Sequence, residues 1–198
     1  MLVWNTVMNL YLPHTVTIDN KEYRIRTDFR VILEIIEALN DPDLKNEEKA
    51  EALLTMFYID LPKDLLEAVK QAYRFIDMGK NETKKRPKIM DWEQDFEYII
   101  APVNRVLGKE IRTIPYDYAT DEGGLHWWTF MSAYMEIGGD CLYSQIIQMR
   151  DKVVRHKKLE KYEREWLTRN RDLVTIKTRY SDKDDEMLKR LLGGGKNG

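Results

Sequence analysis

The sequence holds a single cysteine, Cys141, which excludes an intramolecular disulfide and any metal site built from a cysteine cluster. No run of about 18 apolar residues occurs, so no stretch reads as a membrane-spanning helix. Met1-Leu2-Val3-Trp4-Asn5-Thr6 has no basic leader ahead of an apolar stretch, which argues against secretion. Six prolines and ten glycines are too few for a collagenous or low-complexity chain. Gly-x-Ser-x-Gly, His-Glu-x-x-His and Cys-x-x-Cys are all missing. Gly193-Gly194-Gly195-Lys196 lacks the preceding strand and following helix that a phosphate-binding loop requires. The expectation is a soluble intracellular protein that is not an enzyme, holds no metal and needs no cofactor.

What is present suits one packed unit. The 198 residues are 43% hydrophobic and 33% charged, enough for a core with a well-solvated surface. The net charge of −2 is unevenly spread: residues 1–149 carry −8 and residues 150–198 carry +6. Such asymmetry marks either a surface for an acidic partner or a charged helix lying on its own acidic body.

The local periodicities predict a mainly α fold, a helical bundle with a small N-terminal β-hairpin. Thr15–Ile18 and Lys21–Ile25 alternate apolar with polar around Asp19-Asn20, two residues that tolerate a tight hairpin turn. Val16, Ile18, Tyr23 and Ile25 should face a helical layer, because a lone hairpin is marginal in water. From Phe29 the period becomes helical, with Ile32, Ile35, Ile36 and Leu39 on one face and Thr27 or Asp28 as the cap. A second helix is predicted from about Asn46 with Leu53, Leu54 and Phe57 apolar. A third follows Asp64, through Ala68, Ala72 and Phe75, to Gly79.

Residues 80–90 form a basic, breaker-containing linker, the best candidate boundary. This divides the chain into an N-terminal unit over 1–79, a hinge over 80–90, a C-terminal helical unit over 91–176, and a short helix and tail over 177–198. The whole is read as one continuous domain. Asp91 and Gln94 stand at capping-box spacing before a helix that Pro102 should kink or end. A loop over 116–124 leads to a helix running from Leu125 to Gly138-Gly139. Asp140 could cap the next helix, on which Leu142, Ile146, Met149 and Val153 share a face. A charged helix is predicted over 157–171, with Leu159, Tyr162, Trp166 and Leu167 as its apolar stripe. A last short helix spans Ser181 to Leu192.

Three groups could carry function. His126 has Asp117, Asp121, Glu122 and Cys141 nearby in sequence, but no fixed ligand spacing. A helix-terminal histidine donating a hydrogen bond to backbone is the favoured reading over a metal ligand. Trp127, Trp128, Phe130, Met131 and Tyr134 make a helix apolar over most of its circumference, which serves either the core or a partner-binding surface. Lys157, Lys158, Lys161, Arg164, Arg169 and Arg171 offer a basic stripe. Glu160, Glu163 and Glu165 interrupt it at ion-pair spacing, so nucleic acid is not the expected partner.

The order of these features resembles a family of tailed-phage proteins from Gram-positive hosts, named after gene product fifteen. The resemblance is carried by Thr27-Asp28-Phe29-Arg30, Asp41-Pro42, Glu48-Lys49-Ala50, Phe57-Tyr58, Leu61-Pro62 and Glu67-Ala68. It continues in Phe75-Ile76-Asp77-Met78-Gly79-Lys80, Asp91-Trp92-Glu93-Gln94-Asp95 and Tyr98-Ile99. Leu125-His126-Trp127-Trp128-Thr129-Phe130, the most specific stretch, and Ile146-Ile147-Gln148-Met149-Arg150 complete it. Val103 to Thr113 departs from the pattern, and the basic tail beyond Lys177 lies outside it.

The resemblance implies a tail assembly chaperone, encoded just ahead of the tape-measure gene and acting in the cytoplasm of the bacterial host. Its implied partners are the tape-measure protein and other tail assembly proteins, with homo-oligomers possible and no membrane involved. It brings no catalytic residues. His126, Trp127, Trp128, Phe130, Met131, Tyr134, Lys158, Lys161 and Arg164 are the expected partner contacts. A structural tail or virion component, or nucleic-acid binding through the basic C-terminal segment, are the alternatives.

Overall fold

A computed structural model describes residues 11–79 and 87–177. The expected last helix over Ser181–Leu192, the glycine-rich end and most of the 80–90 linker lie outside these residues. Among the described residues the fold is mainly α, with eight helices and a small N-terminal hairpin.

Strands β1 (Thr15–Ile18) and β2 (Lys21–Arg24) pair antiparallel, Thr15 opposite Arg24 and Ile18 opposite Lys21. Asp19 and Asn20 both take positive φ, +51° and +61°, the conformation that a two-residue turn between right-twisted strands needs. Val16, Ile18, Tyr23 and Ile25 are all buried, as their alternation predicts. The strand then docks on the end of the second helix: Ile25 bridges Tyr58, and the Arg26 amide donates to the Phe57 carbonyl at 2.7 Å.

Helices α1 (Phe29–Asn40), α2 (Asn46–Phe57) and α3 (Leu65–Ile76) follow with short connections. Asp28 caps α1 by accepting from the Arg30 amide at 3.0 Å, and Asp64 caps α3 by accepting from the Glu67 amide at 3.0 Å. Helix α4 (Trp92–Leu107) departs from expectation at its N-terminus. Asp91 does accept from the Gln94 amide, but the reciprocal bond to the Asp91 amide comes from Asp95, not Gln94. The helix also runs on past buried Pro102 and ends at Gly108, where φ is +67°. Proline withholds a single donor, and tertiary burial of Ile99, Ile100 and Val103 offsets that loss.

A 3-10 turn (Ile111–Thr113) follows, and a second, unexpected hairpin, β3 (Tyr116–Asp117) with β4 (Glu122–Gly123), occupies the stretch over 116–124 that reads in sequence as a loop. Helices α5 (Trp127–Met135), α6 (Leu142–Val154), α7 (Lys161–Arg169) and α8 (Arg171–Val174) complete the described chain. Asp140 does not cap α6. It pairs with Arg105 at 3.2 Å, and Cys141 is the N-cap residue. The inward face of α6 is Tyr143, Ile146, Met149 and Arg150, while Leu142 and Val153 are exposed. The helix expected over 157–171 is broken: His156 takes φ +51°, the Lys157 amide closes α6 on the Lys152 carbonyl, and helix resumes only at Lys161.

One cluster of buried side chains draws on both sides of residues 80–90. Phe29, Ile32, Ile35, Leu53, Phe57 and Phe75 meet Ile99, Val103, Ile111, Trp127 and Phe130. Phe130 sits between two rings, stacked 5.0 Å from Phe29 and 5.6 Å from Trp127.

Candidate functional site

The stretch most specific in sequence, Leu125 to Phe130, forms an internal clasp together with the acidic loop before it, from Asp121. Asp121 takes φ +60° and turns its carboxylate onto Thr27, accepting from the Thr27 amide and from its hydroxyl, each at 2.9 Å. The Tyr116 hydroxyl donates to the same carboxylate at 3.0 Å. Asp28 is buried and accepts from the Leu125 amide at 2.7 Å, while it also caps α1 and pairs with Arg30. Gly124 passes so close that an added Cβ would stand 2.2 Å from the Asp28 Oδ2. Gly124 therefore lets this loop lie against Asp28, and Gly123 lets it lie against the Pro115 backbone.

His126 holds the start of α5. Its Nδ1 accepts from the Trp128 amide at 3.0 Å, so in the neutral ring Nε2 carries the proton and donates to the Pro13 carbonyl at 3.0 Å. Burial lowers its pKa, opposed by the Pro13 bond, and neighbouring His14 lowers it further. The histidine is thus a cap and a backbone donor, the favoured reading from sequence. Among the described residues no group of three His, Cys, Asp or Glu side chains could hold a metal ion.

Trp127 and Trp128 are both buried, and Phe130 is fully so. The Trp127 indole donates to the Ile76 carbonyl and the Trp128 indole to the Phe75 carbonyl, each at 2.9 Å. These are last-turn carbonyls of α3, where the regular helical ladder ends; the Phe75 carbonyl also accepts from the Met78 amide at 3.0 Å. The expected aromatic contact surface is therefore core: its polar atoms are committed to α3 and its rings to Phe29, Phe75 and Trp92. Met131 and Tyr134 are half-buried against that core, and the Tyr134 hydroxyl bonds that of Tyr143. Lys158, Lys161 and Arg164 are exposed, and Arg164 donates to the Leu159 carbonyl at 3.1 Å. No hydrogen bond, ion pair or ring contact among the described residues joins these three to α5.

What the surface does offer is a trough of two grooves. The first, of about 580 Å³, lies between α1 and the start of α4 over Phe29, Leu33, Ile36, Trp92 and Phe96. Glu34, Glu37 and Glu93 stand along it, with Arg30 and Lys177. The second, of about 670 Å³, runs between the end of α6 and α7–α8 over Val153, Val154, Leu167 and Val174. Lys88 and Ile176 line both, so the grooves adjoin there. Both fall in the size range of sites that take drug-sized groups or helix anchors.

A buried ion pair fixes the divide between them. Arg150 donates to Asp95 at 2.6 Å, to the Val174 carbonyl at 2.9 Å, to Leu173 at 2.7 Å and to Ile89 at 3.2 Å. Gln94 adds two bonds, donating to the Thr175 carbonyl and accepting from the Lys177 amide. Sequence reasoning missed Asp95, Arg150 and Gln94 in these roles. Asp95 one position before Phe96 and four before Ile99, and Arg150 four after Ile146, are charges on apolar helix faces, and that was the available signal.

Comparison with known proteins gives one finding. The model of the family described as Bacteriophage Gp15 protein matches residues 8–176, most of the chain. Searches of curated proteins and of solved structures return no match.

Proposed function

The chain belongs to the bacteriophage Gp15 protein family, and from that premise we propose that it is a non-catalytic tail assembly factor. In this reading it shields the tape-measure protein in the host cytoplasm before the tail tube polymerises around it. The observation that supports the reading is the trough: among the described residues two adjoining grooves with apolar floors lie on a helical body, while Trp127, Trp128 and Phe130 are held in the core. A long, helical, aggregation-prone client is held best by open grooves that take the apolar face of a helix, each contact modest and many molecules bound along it. The first groove supplies large rings at its floor, Phe29, Trp92 and Phe96, the residue type that dominates binding at interfaces.

The test is a pull-down of the tagged chain from host cells carrying the whole phage, read by mass spectrometry beside the composition of purified particles. Recovery of the tape-measure protein, with this chain missing from particles, supports the reading. Stable presence in the particle would make the chain a structural tail component instead.

A further inference from the structure

We propose that the second groove seats the apolar face of an amphipathic helix whose polar face is acidic. The assignment rests on the assembly-factor reading and names the chemistry of the segment that is held. Its floor is aliphatic: Val153 and Val154 are 41% and 44% exposed at the end of α6, beside Leu167 and Val174. Those two valines belong to the last turn of α6, beyond its buried positions Met149 and Arg150.

The charge around this floor has one sign. No acidic residue lines the groove, whereas Lys88, Arg150 and Arg171 do. Arg150 is consumed by Asp95 and the α8 carbonyls, and Lys88 rests on Asp91 at 2.7 Å. Arg171 stands exposed at the start of α8, and among the described residues its guanidinium makes no ion pair or side-chain hydrogen bond. Between Arg150 and Lys177 ten basic residues face five acidic ones, so the surrounding field favours an anionic partner. A nucleic acid strand would need flat rings on which bases stack, and no aromatic residue lines this groove. An acidic helix with leucine-like anchors at i, i+3, i+4 and i+7 meets both the floor and the field. The bases concerned are Arg171 and Lys88 at the lip, not the Lys158, Lys161 and Arg164 set suggested by sequence.

The experiment uses the full chain and two labelled synthetic peptides of about 20 residues, long enough to hold helix. Both carry leucine on one helical face; one carries glutamate elsewhere and the other lysine. Fluorescence anisotropy at low salt should show the glutamate peptide binding about tenfold more tightly than the lysine peptide, and weakening as salt is raised. Arg171→Glu should weaken the glutamate peptide by about tenfold, and Val154→Asp should abolish its binding, with helical circular dichroism unchanged in both variants. Equal affinity for the two peptides, no binding of either, or indifference to Arg171→Glu would each overturn the assignment. So would tighter binding of a single-stranded oligonucleotide than of the glutamate peptide. Failure of the peptides while cells still yield the tape-measure protein strikes this assignment alone, whereas loss of that recovery strikes the assembly-factor reading.

Discussion

Replacing Gly124 by alanine isolates what the Asp121–Phe130 clasp contributes. Gly124 has φ +73°, and its added Cβ would stand 2.2 Å from the Asp28 Oδ2 and 2.9 Å from the Tyr116 ring. Gly108 has nearly the same φ, +67°, but nothing within 4 Å of its Cβ. The two positions therefore share the backbone cost of a left-handed alanine, about 1–2 kcal/mol. At Gly108 the smaller conformational freedom of alanine in the unfolded chain offsets part of that, leaving about 1 kcal/mol. At Gly124 the Asp28 carboxylate must also move. It would then surrender the bond from the Leu125 amide, a charge-assisted contact in a buried place, for about 1.5–3 kcal/mol more. With the same offset, the sum at Gly124 is about 2.5–4 kcal/mol, a large share of a domain stability of about 5–15 kcal/mol. Urea unfolding followed by tryptophan fluorescence measures both variants on one scale, since Trp127 and Trp128 report the same core. Equal losses for the two alanines would refute the reasoning, because the clasp would then contribute nothing beyond the shared backbone term.

Removing Arg150 as Arg150→Met should cost about 3–5 kcal/mol in the same assay, because Asp95 keeps a buried charge with no cation beside it. The double variant Asp95→Leu with Arg150→Met should be the more stable of the two, and a double variant no better than the single would show that the orphaned charge is not the cost. His126 gives a pH prediction. Its pKa is lowered in the folded chain, so the unfolded chain takes up the proton first as pH falls below about 6.5, and stability declines from there toward the folded pKa. His126→Asn offers an oxygen to the Trp128 amide and cannot titrate, so its stability should fall less between pH 7 and pH 5.5. A parallel fall in both proteins would remove His126 as the cause.

The elements legible in the sequence are those decided locally. Asp19-Asn20 suits one turn geometry, Asp28 and Asp64 stand where helix amides lack partners, and the apolar periods of α1 to α3 match the faces they bury. The misread elements are those where a distant group decides. Asp95 displaces Gln94 from the capping box because it must also meet Arg150. Val153 shares the face of Ile146 and Arg150 but lies in the last turn of α6, where it is exposed. The break at His156 needs a positive φ at a residue that seldom adopts one, and nothing in the surrounding composition announces it.

The same distinction explains why the most specific motif was legible as a motif while its place, core or partner surface, stayed open. Two adjacent tryptophans point about 100° apart on a helix, so geometry alone suggests that one must face solvent. That inference holds only if a helix packs on one side. Helix α5 has only nine residues, and it is enclosed by the end of α3 as well as by α1 and α4. The carbonyls of Phe75 and Ile76 give both indoles polar partners in the interior, so neither needs water. With its rings consumed in this way, the helix keeps Trp127, Trp128 and Phe130 in the core, and the proposed recognition falls to the trough. Residues there are individually unremarkable, Leu33, Ile36, Val153, Val154 and Arg171, and the two grooves meet at Lys88 and Ile176, where Arg150 and Gln94 hold Val174, Thr175 and Lys177. A surface assembled from α1, α4, α6 and α8 has no signature in any one segment, whereas the clasp that fixes the core is written in ten consecutive residues, Asp121 to Phe130.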